Sequence, residues 1–119
     1  MSFNLDICVI PECLTLRDVL KKIDDNKYGF VFIVDDSKKV IGLVTDGDIR
    51  RSLLENITLD TEVSFIANKD FIWASSNASR ETLIKNLDSK IRFLPLLNEN
   101  KQLVEIVSND HLPLVDEAN

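Results

Sequence analysis

The chain has 119 residues, of which 45% are hydrophobic and 29% charged, with a formal net charge of −6. That length fits one compact domain or two very small subdomains sharing a core, and the acidic balance argues against nucleic acid, whose phosphates require a basic face. No run of about 18 apolar residues crosses a membrane, and the start MSFNLD has neither the basic nor the apolar part of a secretory signal, so a cytoplasmic protein is the expectation.

Cys8 and Cys13 are the only cysteines. No second pair and no nearby histidine completes a zinc set, so they are read as reduced, structural thiols buried like small hydrophobes. LTLRDVLKKIDDN (14–26) places Leu16, Val19, Leu20 and Ile23 on one helical face, with Thr15 as N-cap. GFVFIVDD (29–36) and KVIGLVT (39–45) are strands, and the polar link Asp35 to Lys39 suits a hairpin. After Thr45 the pattern turns helical, with Ile49, Leu53 and Leu54 as a core face.

ITLDTEVSFIANKD (57–70) carries the chain onward, and Trp73 in FIWAS is expected in the strand entering the next part. SRETLIKNLDS (79–89) reads as a helix grouping Leu83, Ile84 and Leu87, followed by strands IRFLPLLN (91–98) and QLVEIVS (102–108). This repeats the earlier order at an offset of 63, Ser108 against Thr45, Phe93 against Phe30 and Leu103 against Val40. The first helices align at nearly that offset, Leu83 against Leu20. A repeat of this kind points to two copies of one helix–strand–strand–helix unit, 1–67 and 68–119. Neither copy closes a core alone, so the expected fold class is α/β, the copies packing sheet to sheet with pseudo-twofold symmetry.

The stretch VFIVDDSKKVIGLVTDGDIRRSL, a strand ending V-[VI]-D-x-x-x-x-x-[VI]-G-[VIL]-[VIL]-T-x-x-D before an apolar helix, resembles the CBS domain, which occurs as tandem pairs called Bateman modules. The resemblance covers roughly Asp6 to Leu112 as two copies. It implies a non-catalytic regulatory module that binds AMP, ADP or ATP between the copies, forms a homodimer and modulates an attached or associated enzyme. The second copy is looser: Glu105, Ser108 and His111 stand where the first has Gly42, Thr45 and Asp48. An acidic residue in place of that glycine resembles pairs that precede sugar-phosphate nucleotidyltransferase domains, although no glycine-rich catalytic loop of such a domain is present among three glycines.

Two readings of TDGD (45–48) compete. Thr45 and Asp48 imitate a capping box, and Asp46 and Asp48 favour a positive helix N-terminus. Equally, the Asp48 carboxylate can accept from the two adjacent hydroxyls of a ribose, with Thr45 adding a bond. Gly47 admits close backbone approach, helix-terminal amides attract phosphate, and Arg50 or Arg51 supplies the cation. The family pattern places Ile10, Tyr28 and Phe30 near the same cleft as an apolar wall for the base. Ser108 retains a capping hydroxyl, but His111 cannot make the two-acceptor clamp, so the second site is expected to be degenerate, with His111 a surface histidine rather than a metal ligand. The alternative to a nucleotide sensor is a pair kept for dimerisation with empty clefts.

Asp35 and Asp36 also resemble the acidic pair of a receiver domain, but a strand follows them within five residues and the hairpin reading is better. No nucleophile–base set is visible, so no catalytic residue and no metal site is expected.

Overall fold

The computed structural model describes residues 3–87 and 93–108. The chain divides into two compact units, Asp6–Phe71 and Met1–Leu5 with Ile72–Asn119. Each holds a three-stranded sheet whose strands pair in chain order.

In the first unit β1 (Val9–Pro11) leads into α1 (Leu16–Asn26), then β2 (Phe30–Val34), β3 (Val40–Thr45) and α2 (Asp46–Leu54). β1 lies parallel to β2, with Ile10 opposite Ile33, which requires the crossover that α1 supplies. A three-residue strand leaves too little alternation to be read from sequence, and β1 is absent from the expected helix–strand–strand–helix order. β2 and β3 are antiparallel, Phe30 opposite Thr45 and Val31 opposite Val44, with an irregularity at Ile33/Val34. Asp35 closes the hairpin: its Oδ1 accepts from the N–H groups of Ser37 (2.8 Å) and Lys39 (3.0 Å). That turn uses one oxygen of the Asp35 carboxylate, as the hairpin reading expects.

The second unit repeats this with β4 (Ala74–Ser75), α3 (Arg80–Asn86), β5 (Phe93–Leu97) and β6 (Leu103–Ser108). Phe93 pairs with Ser108 and Leu94 with Val107, and the irregularity recurs at Leu96/Leu97. Asn98 takes the place of Asp35, its Oδ1 accepting from Asn100 and Gln102 N–H, both at 2.9 Å. Lys38 and Lys101 both have positive φ, 69° and 61°. The strand register therefore repeats at 63 residues through sheet and turn.

The helices follow a different offset. Val19 and Ile23 are buried on α1, Leu83 and Leu87 at the matching places on and just after α3, an offset of 64. Ile10 and Ala74, opposite Ile33 and Leu96, are also 64 apart. Pairing Leu20 with Leu83 is thus one residue out of step: Leu83 is buried, whereas Leu20 is 36% exposed. The two cores correspond position by position, Ile10, Val19, Ile23, Val31, Ile33 and Val44 in one, Ala74, Leu83, Leu87, Leu94, Leu96 and Val107 in the other.

Three further expectations are corrected. On α2 only Ile49 is buried, while Leu53 and Leu54 face solvent. Ile84 on α3 is likewise exposed. Trp73 stands one residue before β4, its ring 5.7 Å from Lys101 Nζ. The reason lies across the sheet. In the first unit Phe32 N–H donates to Cys8 C=O at 2.7 Å, but the corresponding residue of β5 is Pro95, which has no N–H to give. The parallel ladder is shortened there and Trp73 falls outside it. The helix expected after Ser108 lies outside the described residues.

Candidate functional site

β3 delivers Thr45 to the start of α2, where φ −106° and ψ 165° make it the N-cap. Its hydroxyl accepts from Asp48 N–H at 3.2 Å, and Asp48 Oδ2 accepts from Thr45 N–H at 2.9 Å. The capping reading of the TDGD string is therefore real, and it satisfies two otherwise orphaned donors. It does not exhaust the carboxylate. Asp48 Oδ1 turns outward and pairs with Arg51 Nη2, the Asp48 side chain being 23% exposed and that of Arg51 68%. Two oxygens with about four lone-pair positions leave room for further donors. Arg50 takes no part; it pairs with Asp46 at 3.1 Å on the outer surface.

Gly47 is the second residue of α2. A Cβ there would lie 3.4 Å from Arg51 Nη1 and 3.8 Å from Thr45 Oγ1, ordinary contact distances, so a side chain here would touch the guanidinium without displacing it. The glycine has no positive φ, and its conformational freedom is not used.

Phe30, opposite Thr45 in the sheet, stacks on Tyr28 at 5.9 Å between ring centroids and 26° between planes. Phe30 and Phe32 meet edge to face at 5.6 Å, and Phe32 meets Phe71 at 6.2 Å. Sequence reasoning missed the residue that shapes this corner. Asn26 is buried, donates from Nδ2 to the carbonyls of Ile7 (2.9 Å) and Phe30 (3.3 Å), and accepts from Tyr28 N–H at 2.8 Å. Gly29, at φ 85°, completes the turn, and its carbonyl accepts from Asp46 N–H at 2.9 Å. An asparagine ending an amphipathic helix just before a Tyr-Gly pair was the available signal.

The predicted residues fall into two groups. Thr45, Gly47, Asp48 and Arg51 share the first turns of α2, and Phe30 with Tyr28 borders them. Ile10 is set apart: it packs in the core with Val31, Ile33 and Val44, and strand alternation puts these on the opposite face from Phe30 and Phe32. Its place as a wall beside Tyr28 and Phe30 is corrected accordingly. In the second unit Ser108 ends β6 opposite Phe93, and His111 lies outside the described residues. An open cavity of about 270 Å³ lies nearby, lined by Leu20, Ile23, Asp24, Lys27, Gly29 and Asp46. It shares none of the predicted ligand residues.

Gly42 is a glycine for a structural reason. A Cβ on Gly42 would come within 2.7 Å of Ala67 Cβ, because Leu43 and Asn68 exchange both backbone hydrogen bonds (2.9 and 3.0 Å) along the edge of β3. Cys8 and Cys13 are both thiols outside any disulfide. Burial pushes the Cys8 thiol up to about 11, fitting a structural role, but Cys13 is exposed and the buried-thiol reading does not extend to it. Among the described residues no group of His, Cys, Asp and Glu has the arrangement of a metal site, and no helix is long and apolar enough to cross a membrane.

A family model described as "CBS domain" matches residues 6–55. The α/β fold matches that of solved proteins: the CBS domain protein PAE2072 of Pyrobaculum aerophilum, complexed with AMP (22% identity, TM-score 0.70, covering 91% of this chain and 87% of that one), and the CbpB protein of Listeria monocytogenes, in complex with c-di-AMP (16% identity, TM-score 0.78, covering 92% and 85%). In sequence the chain is similar to an L-aspartate semialdehyde sulfurtransferase of Methanosarcina acetivorans, 23% identical over 107 residues. That match takes in 89% of this chain and 21% of the relative. The chain spans 18 to 29% of the length of this and two Helicobacter pylori relatives.

Proposed function

We propose that this chain is a tandem CBS pair, its repeats dividing near residue 67, that binds an adenine nucleotide and regulates an attached or associated catalytic domain. The observation that carries the reading is Asp48. Its carboxylate is anchored from behind by Thr45 N–H, is still partly open to solvent, and has a cation, Arg51, within one turn. Such an acceptor suits the 2′ and 3′ hydroxyls of a ribose. Tyr28, half-buried and stacked on the buried Phe30, lies at the same end of the hairpin as the surface for a base, and Thr45, Gly47 and Arg51 complete the set. The complexes of the Pyrobaculum and Listeria proteins with AMP and c-di-AMP support the ligand class. Ser108 and His111 make the second site degenerate. The module itself is non-catalytic; a sugar-phosphate nucleotidyltransferase as the regulated enzyme rests on Glu105 alone.

The test is calorimetry with AMP, ADP and ATP on the wild type and on Asp48→Asn. An amide keeps one acceptor but loses the second and the charge, which costs about 1.5–3 kcal/mol, or roughly ten- to more than a hundredfold in affinity. No binding of any of the three at millimolar concentration sinks the reading.

The second reading, a pair kept for homodimerisation, draws on Leu53 and Leu54, which are 41% and 83% exposed on α2. Ile49, being buried, contributes nothing to such a surface. Sedimentation at high concentration showing only a 13.5 kDa species removes it.

A further inference from the structure

The pairing of Asp48 with Arg51 bears on which ligands the site takes, an inference that rests on the nucleotide reading above. Asp48 is not an idle acceptor: Oδ2 holds Thr45 N–H and Oδ1 holds the guanidinium. A vicinal diol approaching the outward oxygen therefore meets a cation already in place. We propose that Arg51 is the specificity-determining residue of this site, held on Asp48 until a ligand carrying a phosphate takes its charge, so that the site selects nucleotides over the corresponding nucleosides.

The exchange is unequal for the two ligand types. A nucleoside offers Asp48 two neutral hydroxyl donors but leaves the displaced guanidinium with water alone. A nucleotide offers the same hydroxyls and returns an anion, to which guanidinium binds in a planar, often bidentate, charge-assisted arrangement. The Arg51 side chain is largely exposed, so little packing holds it back. Arg50, one residue away and paired with Asp46, is the built-in control: it has the same charge on the same helix but no contact with Asp48.

The experiment is calorimetry with AMP and with adenosine on the wild type, Arg51→Ala, Arg51→Gln and Arg50→Ala, with thermal melts to establish that each variant is folded. The wild type should bind AMP at least about tenfold more tightly than adenosine. Both Arg51 variants should lose AMP affinity by about that factor while adenosine affinity holds or rises, bringing the ratio close to one. Arg50→Ala should keep the wild-type ratio. Equal binding of AMP and adenosine by the wild type, or an unchanged ratio in the Arg51 variants, overturns the role of Arg51 and leaves the nucleotide site standing. A wild type that binds neither ligand overturns the site and this inference together.

Discussion

The chain contains the string Thr-x-x-Asp at the start of both α1 and α2, and both copies fold into a complete capping box. At α1 the Asp18 carboxylate accepts from Thr15 N–H at 3.0 Å, as Asp48 does from Thr45. What surrounds the two boxes differs. The first-turn amides of Leu16 and Arg17 donate to the carbonyls of Thr61 and Leu59, both at 2.9 Å, and Arg17 reaches Asp60 at 3.4 Å. A loop thus lies across that helix end. The α2 box sits at the end of a strand beside the Tyr28–Phe30 stack, with Gly47 in place of Arg17 and Arg51 bound to the acid. One string makes a cap crossed by a loop; the other makes a cap with an ion-paired arginine and an aromatic neighbour.

The largest expected contrast is in binding. Asp48→Asn should lower nucleotide affinity by roughly ten- to more than a hundredfold, and Asp18→Asn should leave it unchanged in the same calorimeter. Equal losses in both variants would mean that the two boxes are not different in kind.

Next comes the strand that positions the second box. Gly42→Val forces side-chain atoms into Ala67, 2.7 Å from where a Cβ would stand, and should cost about 1–3 kcal/mol in denaturant unfolding. If the variant is as stable as the wild type, the backing of β3 by Ala67 and Asn68 does not hold the α2 box in place.

The caps themselves should be nearly equivalent. Thr15→Ala and Thr45→Ala should each lose about 1 kcal/mol, read from the same unfolding curves, because each hydroxyl satisfies one N3 amide. Only Thr45→Ala should also weaken ligand binding.

The smallest effect is in pH. The Thr15 backbone N–H, then its hydroxyl, hold the Asp18 carboxyl below its ordinary value. A depressed folded-state pKa contributes stability that is present above the unfolded value and is lost as pH falls through the folded one. Thermal melts of the wild type should therefore decline on acidification from about pH 5 downward more than those of Asp18→Asn, which has no proton to take up there. Parallel curves would show that the α1 box contributes nothing through its charge.

Much of this was legible in the chain because the forces involved are local. β-Branched and aromatic runs give β2 and β3, short apolar runs give β5 and β6, and a single Asx residue, Asp35 or Asn98, closes each hairpin through bonds two and four residues on. Thr15 and Thr45 announce their helices for the same reason: cap and partner lie three residues apart.

Tertiary structure decided what periodicity cannot express. A repeat of apolar residues marks a face without saying how much of it is covered, so Leu20, Leu53, Leu54 and Ile84 read as core and stand exposed, while Ile49 and Leu83 are buried. β1 exists through parallel bonds to a strand beyond α1, and β4 is shortened by Pro95 on a partner strand about twenty residues away. Ile10 turns into the core and away from Phe30 because its register opposite Ile33 assigns its face. Gly42 needs its missing side chain only because Ala67 folds back against it. The Thr-x-x-Asp string by itself determined two helix caps; the neighbours that long-range pairing brought to Asp48, and withheld from Asp18, made one of them a candidate site.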